Sequence, residues 1–168
     1  MSFEIVPAVN ASLERHALVA NRAFAGYVAG WTDLNAETLA RFFLLQGADL
    51  FHSRLVRAAD ELVGFGHINR TGDIPRLSGM AIEAAARGTG AADFLMRHLL
   101  DEAQARGDRA MMLEVIEQNP RAHRFYQRHG FREITRLVGW RCSADPAGSL
   151  GNEGEVKEIP ILLSLIHI

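Results

Sequence analysis

The amino-acid sequence predicts an α/β protein with one mixed, mainly antiparallel central sheet of roughly six to seven strands, flanked by about four helices. Three observations predict it. Short strand-like runs follow one another from Phe51 to Glu83 with tight turns between them, and connections that short join antiparallel strands. A strand, a helix and a second strand between Leu77 and Val115 require a right-handed parallel crossover within the same sheet. Apolar stripes at helical spacing occur on both sides of this region.

The elements can be justified in chain order. Phe3 to Val9 alternates as a short strand does and stops before Asn10 and Ser12, both able to cap a helix. Leu13, Ala17, Leu18, Val19, Ala20 and Phe24 then recur at helical spacing up to Gly26. After a loop rich in aromatic and small residues (Tyr27 to Asp33), Asn35 and Glu37 open a second helix containing Leu39, Phe42, Phe43 and Leu44. Strand-like runs follow at Phe51–Ala58, Glu61–Ile68 and Arg76–Glu83. Beyond Gly88 and Gly90, residues Ala92, Leu95, Met96, Leu99, Leu100 and Ala103 form a helical stripe that Gly107 ends. Ala110–Ile116 reads as a buried strand. Asn119-Pro120 starts a further helix, with proline where its missing N–H costs nothing, and His129-Gly130 ends it. Phe131–Trp140 gives another strand and Val156–Leu162 the last.

The 168 residues suit one domain with a sizeable core. With 48% hydrophobic and 23% charged residues the composition is that of an ordinary globular protein. A net charge of -2 leaves no electrostatic footprint for a polyanion and argues against nucleic acid as partner. Cys142 stands alone, so no internal disulfide forms. The start Met1-Ser2-Phe3-Glu4 lacks the basic and apolar regions of a secretory signal, and the longest apolar run, Ile159 to Ile168, is too short to span a bilayer. These features predict a cytoplasmic protein with no membrane partner. The end, Leu163-Ser164-Leu165-Ile166-His167-Ile168, resembles the translation of a transposase adapter used in preparing sequencing libraries. We therefore expect residues 1–162 to form the domain and residues 163–168 to be a non-native tail.

The segment Glu83-Ala84-Ala85-Ala86-Arg87-Gly88-Thr89-Gly90-Ala91-Ala92 joins a strand to a helix. Glycines let backbone approach a ligand, the first amides of a helix have no intrahelical partner, and the helix dipole is positive at this end. Together these suit a pyrophosphate, with Arg87 as an added cation. Two glycines before a helix also serve as a plain tight turn. Dinucleotide-fold and Walker A loops do not fit, for want of a third glycine at the required spacing or of a following Gly-Lys-Ser/Thr.

Arg87-Gly88-Thr89-Gly90-Ala91-Ala92 resembles the Gln/Arg-x-x-Gly-x-Gly/Ala signature of the GNAT superfamily of N-acetyltransferases, and Met80-Ala81-Ile82 resembles the strand that leads into it. Asn119-Pro120-Arg121-Ala122-His123-Arg124-Phe125-Tyr126-Gln127-Arg128-His129-Gly130-Phe131 is similar to the family's second signature, Asn-x-x-Ala-x-x-x-Tyr-x-x-x-Gly-Phe. The resemblance runs from about Leu62 to Trp140, with Ala84 where many members have proline.

This resemblance implies acetyl-CoA as co-substrate, no metal, and an amine on a small molecule or peptide as acceptor. It implies main-chain groups of Met80, Ala81 and Ile82, freed by splaying of their strand, as the contacts for pantetheine and oxyanion. Residues 87–92 and Asn119 would hold the coenzyme. Tyr126 would be the general acid for the departing thiolate, a task a phenol of pKa about 10 can perform. Its plainer role is packing with Phe125 and Phe131.

For the general base, Glu83 is the first candidate on position, with Glu114, Glu117, His67 and Asp73 also open. Phe24, Tyr27 and Trp31 are candidates for an acceptor pocket or for packing. His123 and His129, on a basic helix with Arg121, Arg124 and Arg128, lack metal-site spacing and read as a solvated face. Cys142 has no partner that would make it a nucleophile. Relatives often pair, so a homodimer is also expected. Two alternatives stand beside the enzyme: a non-catalytic acyl-CoA-binding module, and one lobe of a truncated two-lobed acetyltransferase.

Overall fold

The computed structural model describes residues 2–27, 33–70, 72–141 and 157–167. Its strands and helices run β1 (Phe3–Pro7), α1 (Leu13–Phe24), α2 (Ala36–Gln46), β2 (Ala48–Ala58), β3 (Glu61–Asn69), β4 (Arg76–Ile82), α3 (Ala91–Arg106), β5 (Ala110–Ile116), α4 (Pro120–Arg128), β6 (Arg132–Arg141) and β7 (Lys157–His167). Short 3-10 turns occupy Ala8–Asn10 and Ala84–Ala86. The strands make a seven-stranded sheet in the order β1-β2-β3-β4-β5-β7-β6. Neighbours are antiparallel except β4 and β5, which the α3 crossover joins in parallel. Among the described residues, no helix is long and apolar enough to cross a membrane.

Local chemistry sets the helix ends. Ser12 accepts the Arg15 N–H at 3.4 Å and starts α1. Asn35 and Thr38 form a reciprocal capping box at 2.9 Å each way, worth about 1 kcal/mol to α2. Asn119 accepts the Ala122 N–H at 3.1 Å, with Pro120 as the first residue of α4. Gly47 and Gly107 close α2 and α3 in the left-handed conformation.

Alternation along the strands divides the core between the sheet faces. On one face Leu95, Met96, Leu99 and Ala103 of α3 pack with Val56, Ile68, Leu77, Met111 and Leu113. On the other, Val19, Ala20 and Ala23 of α1 pack with Leu55, Leu62 and Phe65. Gly66 permits the close approach of α3: a Cβ there would lie 2.6 Å from Leu99 Cδ1.

Three features depart from the sequence expectation. Strand β2 begins at Ala48 instead of Phe51 and breaks register between Asp49 and Arg54. Asp49 Oδ1 holds this excursion by accepting the Phe51 and His52 amides at 3.0 and 3.2 Å. Strand β4 stops at Ile82, leaving Glu83 to start a 3-10 turn. The final strand is Lys157–His167 instead of Val156–Leu162, inserted between β5 and β6. It takes in residues 163–167, which the sequence reading assigns to a tail.

What positions the site is the divergence of β4 from β5. Only Arg76↔Met112 and Leu77↔Leu113 pair between them, although β4 runs on to Ile82 and β5 to Ile116. The neck is held by Met112 N–H donating to Pro75 O at 2.9 Å, and by Arg76 Nε donating to Glu114 Oε2 at 2.8 Å. Just beyond it, Ser78 is an extra residue in the β3–β4 ladder, between His67↔Gly79 and Ile68↔Leu77. Such a bulge bends its strand. Here it coincides with the point where β4 leaves β5.

Candidate active site

The parted strands open onto a cavity of about 760 Å³. Met80, Ala81 and Ile82 line it, and beyond Leu77 the side of β4 that would face β5 carries no strand partner among the described residues. These are the residues expected to offer main-chain groups to the coenzyme.

The loop into α3 forms the next wall. Gly88 and Gly90 have φ of +78° and +93°, which only glycine adopts at little cost. A Cβ at either position would meet nothing within 4 Å, so conformation and not crowding requires glycine here. Thr89 Oγ1 braces the turn by donating to Ala86 O at 2.7 Å. The first helical hydrogen bond is Phe94 N–H to Gly90 O at 2.9 Å. The amides of residues 88–93 therefore have no acceptor among the described residues, at the end of the helix where the dipole favours an anion. Gly88, Gly90 and Ala92 line the cavity; Ala91 turns its methyl into the core.

Arg87 has a different first duty from the one the sequence suggests. Its Nε donates to Ile82 O at 2.9 Å and a terminal nitrogen donates to Ala23 O at 2.7 Å. The guanidinium thus ties the loop to the end of β4 and to the C-terminus of α1 while lining the cavity. Sequence gives no sign of this, because the Ala23 carbonyl arrives through tertiary packing.

Helix α4 supplies Asn119 and Tyr126. Asn119 spends its side-chain oxygen on the helix cap. Tyr126 packs against Phe125 and Phe131, with ring centroids 5.5 and 5.8 Å apart. Burial, and secondarily Tyr27, pushes its hydroxyl well above the ordinary tyrosine range, so the phenol stays protonated. Tyr27 lines the same cavity beside Phe24, at a ring separation of 5.1 Å. Trp31, the other aromatic proposed for an acceptor pocket, lies outside the described residues, as does Cys142.

The candidate bases separate. Glu83, the first choice on position, is not among the cavity-lining residues; its carboxylate lies 3.6 Å from Arg22. It follows the last residue of β4 and enters the 3-10 turn. Glu117 pairs with Arg136 at 2.6 Å. Asp73 is exposed in the β3–β4 turn. His67 is buried between Phe65 and His16, with ring centroids 4.5 and 5.6 Å away, and burial lowers its pKa to about 3. Glu114 is half-buried on β5, one residue past the last β4–β5 pair.

The sequence reads the basic face of α4 as solvated. It is exposed, but Arg121, Arg124 and Arg128 also line the cavity. Their i, i+3, i+7 spacing is the sequence signal for a shared face. His129 is not part of a solvated face: it donates from Nε2 to Asp93 Oδ1 at 3.0 Å and joins α4 to the start of α3. Among the described residues, no group of three or more His, Cys, Asp or Glu could hold a metal ion.

One cavity thus brings together the open side of β4, the glycine loop at the start of α3 and the Tyr126 phenol. Residues 16–131 match the model of the acetyltransferase (GNAT) family, and the chain belongs to that family. Solved structures repeat the fold. The ribosomal-protein-S18-alanine N-acetyltransferase of Escherichia coli superposes with a TM-score of 0.74 at 19% identity, over 99% of this chain and 94% of that one. Ard1 of Thermoplasma volcanium gives 0.74 at 17% identity, over 100% and 99%. The yncA protein of Salmonella typhimurium, determined with its cofactor acetyl-CoA, gives 0.69 at 17% identity, over 99% and 94%. No curated protein matches the sequence.

Proposed function

We propose that the protein transfers an acetyl group from acetyl-CoA to a primary amine of a small molecule or peptide, by direct attack and with Tyr126 as general acid. One observation carries this reading: a single cavity brings together the unpartnered amides before Phe94, the open side of β4 and the Tyr126 phenol. The amides suit the coenzyme pyrophosphate. Main-chain groups on the open side of β4 between Met80 and Ile82, other than the Ile82 carbonyl that Arg87 holds, suit the pantetheine and the oxyanion that forms when the amine adds to the thioester carbonyl. As the carbon–sulfur bond breaks, the thiolate takes the Tyr126 proton, and the amine loses one to a base.

For that base we propose Glu114 instead of Glu83. Neither carboxylate lines the cavity; Glu114 is the first β5 residue past the neck, whereas Glu83 follows the end of β4 and lies 3.6 Å from Arg22. Arg76 holds the Glu114 carboxylate in place at 2.8 Å.

Calorimetry with acetyl-CoA on the wild type and on Gly90→Arg tests the reading. At φ +93° an arginine is strained and fills the loop's ligand side, so wild type binds and the variant does not. Turnover of a panel of amines by wild type, lost in Tyr126→Phe, then supports the enzyme. A correctly folded wild type that fails to bind acetyl-CoA at high concentration overturns it. Coenzyme binding with no turnover of any amine would favour a non-catalytic binding module.

A further inference from the structure

The cavity is lined by four arginines, Arg87, Arg121, Arg124 and Arg128, against one aspartate, Asp93, in a chain whose net charge is -2. The cavity thus collects positive charge that the molecule as a whole lacks. Not all of it is free. Arg87 is tied to two carbonyls. Arg128 lies 3.6 Å from Asp93 and over the Phe125 ring at 5.8 Å, while His129 also holds Asp93. Arg121 and Arg124 are exposed, one helical turn apart, and have no hydrogen-bond or ion-pair partner among the described residues. Leaving two guanidinium groups at i, i+3 without carboxylates costs repulsion, which a doubly charged anion would relieve.

Resting on the reading that the cavity holds coenzyme A, we infer that Arg121 and Arg124 form a second anion site, which recognises the 3′-phosphate of the coenzyme's ribose. The loop amides account for the pyrophosphate. The coenzyme's remaining anionic group is a phosphomonoester on the same ribose, next to that pyrophosphate. Arg121 and Arg124 belong to the same cavity lining as the loop. A guanidinium offers a fork of donors that matches phosphate oxygens, as an ammonium does not. The site is thus a specificity determinant for the 3′-phosphorylated coenzyme and takes no part in the acyl chemistry.

The test is calorimetric titration of the full chain with coenzyme A and with 3′-dephospho-coenzyme A, on wild type and on the double variant Arg121→Gln/Arg124→Gln. Wild type is expected to favour coenzyme A by roughly tenfold or more, from two exposed charge-assisted contacts. The double variant is expected to lose that preference and to bind the dephospho form as wild type does, within about twofold. Equal binding of the two ligands by wild type overturns the inference and leaves the coenzyme reading intact. So does a preference that survives in the variant, or a variant that loses affinity for both ligands equally, which would indicate only a general field. If folded wild type binds neither ligand, both readings fall.

Discussion

Tyr126 and Glu114 carry opposite halves of the proposed proton traffic, and each can be tested alone. Tyr126→Phe keeps the ring packing with Phe125 and Phe131 and removes only the proton. We expect kcat to fall by roughly 10²- to 10⁴-fold with coenzyme affinity unchanged. Because burial raises the hydroxyl pKa, the wild-type rate should show no alkaline fall from this group below about pH 10; a limb near neutrality that vanishes in Tyr126→Phe would contradict the assignment. For Glu114→Gln we expect a similar loss in kcat, while Glu83→Gln stays within about twofold of wild type. If Arg76→Gln costs as much as Glu114→Gln, the pair is only a staple at the strand neck. At this scale, the residues that sequence identifies are those whose chemistry is local. Asn119 beside Pro120 announces a cap, and Tyr126 follows at motif spacing. The destinations of Arg87 and Glu83 are not legible, since both depend on where α1 brings the Ala23 carbonyl and Arg22.

Among the elements, the antiparallel meander, the crossover and the phosphate loop are legible because each has a length or a glycine that admits few alternatives. The parting of β4 from β5 is not. Residues Gly79 to Ile82 look like any strand, and what frees them is a bulge at Ser78 together with a ladder that stops at Leu77. The excursion of β2 between Asp49 and Arg54 is hidden for the same reason: it depends on a side chain capping its own turn. Gly64 offers a way to disturb β4 without touching the cavity. A Cβ there would run into Ile82 Cδ1 and lie 2.7 Å from the Ala81 carbonyl oxygen. The isoleucine can rotate, but the carbonyl belongs to the coenzyme strand and must shift. Gly64→Ala should therefore cost about 1–3 kcal/mol in urea unfolding and weaken acetyl-CoA binding as well. Gly72→Ala, where a Cβ meets nothing within 4 Å, should do neither. Lost stability with coenzyme affinity retained would show that the β4 backbone is not a contact.

Across the whole molecule the two sheet faces divide the work. The α3 face is an apolar core, whereas the face under α1 and α2 buries imidazoles among aromatic rings. His67 stacks on Phe65 and His16 and meets Phe43 edge-on at 4.8 Å. Its Nε2 and the Nδ1 of His16 have no hydrogen-bond partner among the described residues, while His16 Nε2 donates to Ala8 O at 2.9 Å. Burial, and secondarily His16, lowers the His67 pKa from 6.5 to about 3, and burial lowers that of His16 as well. Between those values the unfolded chain binds a proton that folded His67 refuses. The stability tied to this residue is complete above pH 6.5 and is lost as the pH falls toward 3. The slope from one proton is about 1.4 kcal/mol per pH unit, which over two units becomes a sizeable part of a domain's stability. His67→Phe replaces the imidazole with a ring that cannot charge and suits the same aromatic neighbours. Its urea midpoint, followed from pH 7 to pH 4.5, should fall less steeply than that of the wild type, and the two curves should diverge as acid is added. Parallel curves would mean that His67 reaches solvent or a partner when protonated, and that the acid sensitivity of the fold resides elsewhere.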